Sequence, residues 1–177
     1  MGPVKMTVAD KKSFIETDLY YELRCLLGAA TIWQALKETG VGFDVVIAMD
    51  SAFVHARCLF NFFTSGGSND ISIVEFGPQP YDSPTYDQWK EALHRHVLHV
   101  AKGRAAPANL IHGAHLNEQV LAFAHEGLRL WRDFEMDAAA SEYAVVLKTV
   151  EDRALADAGN DARERTKPPF ASGRSGG

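Results

Sequence analysis

Cysteine is almost missing from this chain: Cys25 and Cys58 are the only two in 177 residues, they form no CxxC, and they fit no zinc-ligand spacing. A disulfide framework and a structural zinc site are therefore excluded, and both thiols read as helix-packing groups in a reducing compartment. Long apolar runs are missing too. No window approaches the roughly 18 apolar residues of a membrane span, and "MGPVKMTVADKKSF" has no apolar signal core. The expected location is cytoplasmic, with no membrane partner. Positive charge is not in excess either, since 18 Lys and Arg stand against 23 Asp and Glu for a net charge of −5. That balance argues against a broad basic footprint for nucleic acid or an anionic lipid surface. No Gly-rich phosphate loop, GxSxG elbow, HExxH or DxDxDG run occurs, which disfavours the hydrolases, zincins and EF-hands marked by those motifs.

What the chain does have is helical periodicity. Ile15, Leu19, Leu23, Leu26, Ala30 and Trp33 recur by fours and threes and predict a first helix over 13–39, with Gly40 as its stop. Val45, Met49, Ala52, Ala56, Leu59 and Phe63 predict a second over 43–64, and Val46, Phe53 and Phe60 widen its apolar stripe until little of it is polar. About twenty residues of loop follow, with one strand-like run at 71–76. Ser83, Pro84 and Asp87 read as an N-cap, a first-position proline and a first-turn acid, opening a third helix. A fourth helix carries Leu116, Val120, Phe123, Leu130 and Phe134, and a fifth is predicted from about Ala138 to Ala158. The expected fold is all-α, a five-helix bundle with one long loop between helices two and three. Residues 1–12 read as an N-terminal arm, 13–158 as the bundle, and 159–177 as a disordered tail rich in charge, proline and glycine.

Few polar residues break the apolar faces. Asp50, Arg57 and Asn61 are seven and four residues apart on the second helix and so share one stripe. His55, two residues before Arg57, points away from it. Arg57 has two readings: a tie to a carboxylate on another helix, or an anion binder for phosphate or carboxylate. In "HRHVLHV", His94 and His96 face opposite sides; His96 and His99 lie three apart, with no acid within a turn on that face. No metal and no cofactor are expected. His112 and His115 precede Asn117 near the start of the fourth helix, where free backbone N–H groups suit an anion, and His125 lies one turn before Arg129.

The stretches "FVHARCLFNFF" and "HLNEQVLAFAHEGLRLW" resemble the HARNLxxFF-like and INKQVAHLT-like helices of a family of small bacterial helical proteins of uncharacterised function. His55, Ala56, Arg57, Leu59, Phe62 and Phe63 match the first pattern, with Cys58 in place of its asparagine; Asn117, Gln119 and Val120 match the second, with Ala122 in place of its histidine. In architecture such proteins are similar to the HEPN superfamily of helical domains found in toxins, abortive-infection systems and nucleotide-related modules. The ribonucleases of that superfamily carry an arginine followed after four to six residues by a histidine. Here Arg57 is followed at those positions by Phe62, Phe63 and Thr64.

The leading expectation is thus a non-catalytic helical interaction domain, homo-oligomeric or bound to another protein, with Arg57, Asn61 and Asn117 joining helices two and four. The competing one is a metal-independent HEPN-like ribonuclease or nucleotide-binding module, of a toxin or defence system, that uses Arg57 with His55, His112, His115 or His125.

Overall fold

A computed structural model describes residues 6–37, 43–65, 71–98 and 118–165. The described residues are helical with short connections and contain no strand, so the all-α class holds. Helix α1 (Val8–Phe14) runs through a five-residue π-helical turn (Ile15–Leu19) into α2 (Tyr20–Leu36), and the junction residues Ile15 and Leu19 keep right-handed helical dihedrals. Helix α3 (Phe43–Thr64) follows, then a 3₁₀ turn (Ile73–Phe76), α4 (Pro84–Leu98), α5 (Val120–Asp137) and α6 (Ala144–Arg165). With α1 and α2 counted as one rod, these are the five expected rods. Helix α2 is the centre of the packing, with α3 on one side and α6 on another, while α5 closes over both α2 and α3.

The core is aromatic. Phe53, Phe60 and Phe63 of α3 and Phe123, Trp131 and Phe134 of α5 are fully buried, and Phe123 meets Phe53 and Phe60 edge-on with ring centroids 5.9 Å apart. Truncating any one of these rings would leave a cavity worth about 3–5 kcal/mol. The approach of α5 to α2 is close enough that a Cβ on Gly127 would stand 2.8 Å from a Leu26 methyl carbon.

Three boundaries differ from expectation, each for a local reason. The rod starts at Val8, not Ser13, because Thr7 and Asp10 form a capping box: the Asp10 amide donates to Thr7 Oγ1 at 3.2 Å and the Thr7 amide donates to the Asp10 carboxylate at 2.9 Å. Residues 8–12 of the expected arm are therefore helical. The strand-like run is one 3₁₀ turn instead, since among the described residues no strand lies beside it; Ile73 and Phe76 are buried, Lys11 donates to the Glu75 carbonyl, and Gly77 ends the turn at φ 115. The last helix begins at Ala144, not Ala138, and runs to Arg165, past the expected tail boundary at Gly159. Ala154, Ala158 and Ala162 form a buried stripe of small side chains against α2, and Asp161 receives Arg24 at 2.8 Å. Residues 166–177 of the expected tail and the first helix's stop at Gly40 lie outside the described residues.

The start of α4 matches expectation: Ser83 Oγ accepts from the Tyr86 amide at 3.2 Å, its carbonyl accepts from Asp87 at 2.9 Å, and Pro84 is the first helical residue.

One buried charge sits between α5 and α6. Glu151 is only 2% exposed and accepts from Arg132 Nε at 2.9 Å, and it hydrogen-bonds Glu135, to which Trp131 Nε1 donates at 3.1 Å. Burial and the hydrogen-bonded, negatively charged Glu151 push the Glu135 carboxyl above the usual range, while Arg132, Glu135 and Lys148 outweigh burial and hold Glu151 below it. Of the two carboxyls, Glu135 thus holds its proton to higher pH. A carboxyl raised by folding adds stability while protonated and loses it as pH rises through its folded value. Glu135→Gln, which keeps an acceptor for Trp131, is therefore expected to melt higher than wild type at pH 7–8 and level with it near pH 4. Melting curves across that range, showing an unchanged gap, would refute the assignment.

Candidate functional site

A polar cluster lies in the seam between α2 and α3. Helix α2 presents Tyr21, Glu22 and Cys25 there, residues that a helical repeat places on neighbouring rows, and α3 presents His55 and Cys58, three residues apart. His55 is buried, and its Nδ1 stands 2.7 Å from a Glu22 carboxylate oxygen. The Tyr21 ring meets the imidazole edge-on, centroids 5.3 Å apart at 83°. Burial pulls the imidazole down, but its hydrogen bonds to Cys25 and Glu22 and the Glu22 charge outweigh it and hold His55 up at about 9. The ring is an imidazolium at neutral pH. Cys58 is exposed as a residue, yet partial burial of its thiol and the neighbouring Glu22 carboxylate push it up to about 11.

Beside this cluster a cleft of about 420 Å³ opens among α2, α3 and α6. Gly28, Ala29, Ile32 and Ala48 give it an apolar floor, Cys25 and Ser51 line it, and Arg24, Asp44 and Asp161 supply its charges. Arg24 is spent within that wall, with Nε and Nη2 donating to the two Asp161 oxygens at 3.0 and 2.9 Å.

The residues expected to form a site scatter. Asp50 and His125 are exposed. Asn61 accepts from the Tyr86 hydroxyl at 2.6 Å, so it ties α3 to α4 and not to α5. Arg57 is half-buried; among the described residues no carboxylate stands within ion-pairing distance of it, so the expected interhelical ion pair is not formed there. Its charge is felt by the Tyr86 hydroxyl, where it opposes the upward push of burial. Asn117, His112, His115, His99 and the His96 side chain lie outside the described residues. Of the expected residues that are described, His55 alone joins the seam cluster, as the expected opposite orientation to Arg57 requires. Its companion Glu22 was not singled out in the sequence and Cys25 was read only as a helix-packing thiol; the signal was an acid and a thiol three apart on the edge of an apolar helix. Among the described residues no group of three or more His, Cys, Asp or Glu side chains is placed to hold a metal ion.

Comparison of the chain with protein-family models, with curated proteins and with solved structures finds no match.

The His55–Glu22 pair has a defined pH signature. A histidine whose folded value is about 9 against 6.5 unfolded contributes about 3 kcal/mol, fully present below pH 6.5 and lost as pH rises through 9. Wild type is expected to lose stability between pH 6.5 and 9 in urea titrations, and Glu22→Gln to flatten part of that slope, Cys25 holding the rest. A slope unchanged by Glu22→Gln would remove Glu22 as the counter-charge.

Proposed function

We propose that this chain is a non-catalytic helical interaction module that associates with a second copy through the solvent face of α3. The observation that carries this reading is an apolar stripe on a helix otherwise given to the core: Phe43 is 79% exposed, Ile47 41% and Val54 38%, and Cys58 continues the row. Four positions spaced by four, seven and four residues lie within a narrow arc of one helix. The stripe is self-complementary in an antiparallel sense. Phe43 and Cys58 are equally far from the midpoint between Asp50 and Ser51, and so are Ile47 and Val54. A two-fold axis at that midpoint sets Ile47 of one copy against Val54 of the other, and Phe43 against Cys58, which is the residue-i-to-j, j-to-i pattern of an isologous contact. Asp50 and Arg57 run along the same edge of the stripe, so that edge carries both signs in balance.

Sedimentation velocity across concentration tests this. Wild type is expected to dimerise, and Ile47→Glu with Val54→Glu to stay monomeric at unchanged helical content, since both positions face solvent in the single chain. A wild type that is monomeric throughout would end the reading.

A second reading rests on Arg57: a half-buried guanidinium without a carboxylate among the described residues is suited to an anionic ligand, in line with the HEPN-like resemblance and its nucleotide or RNA partners. Truncating a paired buried arginine costs about 3–5 kcal/mol, whereas Arg57→Ala is expected to change melting far less. Thermal shift with a panel of nucleotides and short RNAs decides the rest. A shift of wild type that Arg57→Ala abolishes would establish the ligand-binding reading, and no shift in either protein leaves the interaction module standing alone.

A further inference from the structure

The π-helical turn between α1 and α2 carries its cause in its hydrogen bonds. In an α-helix the Tyr20 amide would donate to the Glu16 carbonyl, four residues back. It donates instead to the Ile15 carbonyl, five residues back, with a second bond to the Thr17 carbonyl. The Glu16 carbonyl is taken from outside the rod: Arg153 of α6 donates to it at 3.0 Å. The same guanidinium lies over the Tyr20 ring, 3.5 Å from its centroid. The Tyr20 hydroxyl in turn donates to Asp157 at 2.5 Å, one turn further along α6.

We infer that Arg153 is a register latch: by occupying the Glu16 carbonyl it holds the rod in its π turn, and that turn lets α1 close as a strap over the Phe62 and Phe76 rings. The inference does not rest on the self-association reading. A helix left to itself has no reason to widen by one residue, because the wider turn takes a carbonyl out of the regular ladder. A side chain that enters the ladder supplies the missing bond. The guanidinium suits this task, since it is always charged and the Tyr20 ring fixes its plane. The Ser13 carbonyl is engaged by a side chain as well, accepting from the Thr17 hydroxyl at 2.7 Å.

The extra residue of the turn sets the azimuth of α1. Drawing the turn back to α would rotate α1 by about 100° relative to α2. In the observed register Phe14 stands 5.9 Å from the Phe62 ring and 6.1 Å from the Phe76 ring. Lys11 lies over Phe76 and donates to the Glu75 carbonyl. Rotation by that angle takes both side chains off the aromatic pair. None of the seven residues Val8–Phe14 is buried, so the strap is held by these few contacts and by the latch behind it. One side chain of α6 thus governs whether α1 pins the loop after α3.

NMR on wild type and Arg153→Met tests the latch, because methionine keeps an apolar stem on the Tyr20 ring and removes the donor. Scalar couplings across hydrogen bonds are expected to join the Tyr20 amide to the Ile15 carbonyl in wild type and to the Glu16 carbonyl in the variant. Amides of 11–19 are expected to exchange about tenfold faster in the variant, with the rest of α2 and α6 unchanged, since Arg153 is exposed. Lys11→Met cuts the far end of the strap and spares the latch: exchange is expected to quicken over 11–14 with the Tyr20-to-Ile15 coupling kept. An Arg153→Met protein that retains the Tyr20-to-Ile15 coupling, or exchanges no faster over 11–19, would overturn the latch. Acceleration spread evenly over α2 and α6 would overturn it as well, by showing that Arg153 serves the whole fold. Loss of the Tyr20-to-Ile15 coupling in Lys11→Met would place control of the register at the strap and not at Arg153.

Discussion

The burial of α3 against α2 and α5 is the contact on which the rest of the molecule depends. A helix with Phe53, Phe60, Phe62 and Phe63 on its surface cannot stand against one neighbour alone, because those rings span about half of its circumference. Helix α2 covers one flank, α5 another, and the 3₁₀ turn brings Phe76 to the remaining gap, 5.6 Å from the Phe62 ring. Close packing then fixes other choices. Gly127 is small because Leu26 is already there, and Lys11, from the rod's first turns, lies over the Phe76 ring at 5.5 Å and bonds the Glu75 carbonyl, so the loop after α3 is pinned by the start of the chain.

Against that apolar background four polar side chains, buried fully or in part, have traceable partners. His55 has Glu22, Asn61 has Tyr86, Ser83 has the Tyr86 amide and Glu126, and Glu151 has Arg132. These are costs limited by pairing, and pairing sets register: each one joins two different helices or a helix and its preceding loop, and a one-residue slide would strand a desolvated group. The seam and the α5–α6 carboxylate pair share a direction: folding raises the imidazole of the first, which hydrogen-bonds Cys25 and faces the Glu22 carboxylate, and raises Glu135 of the second, which is partly buried beside the Glu151 carboxylate. The first adds stability below pH 6.5, where a wholly apolar seam would add none of its own pH dependence.

Much of this fold was legible before any coordinates. Long periodic stretches with strong stops gave α3 to the residue, and Ser83 with Pro84 marked the start of α4, because caps and first-position prolines are local chemistry. What escaped was tertiary. Ala154, Ala158 and Ala162 look like an unremarkable charged segment until α2 lies across them, and Ile71 to Phe76 alternates like a strand though no strand among the described residues pairs with it. The Thr7–Asp10 box was local and readable, but an aspartate stood where a glutamate or glutamine is the usual sign. For the polar residues, helical rotation correctly separated His55 from Arg57, yet it could not say that Glu22, thirty-three residues earlier, would be the ring's partner.

Arg57 draws these threads together. In a helix this apolar, an arginine without a carboxylate among the described residues of its own chain is either solvated along its length or meets a negative group from outside. Its half-burial limits solvation, and its azimuth, on the edge of the Phe43, Ile47 and Val54 stripe, puts it at the margin of the surface most in need of cover. Asp50 one heptad earlier sits on that same margin, but a two-fold axis between Asp50 and Ser51 sets it beside its own copy, so the proposed contact rests on the apolar row and not on ion pairing along that edge. A phosphate at the guanidinium would in turn be opposed by the Asp50 carboxylate two turns away. Neither reading of Arg57 therefore draws help from Asp50, and what separates them is whether the apolar row beside the arginine is covered.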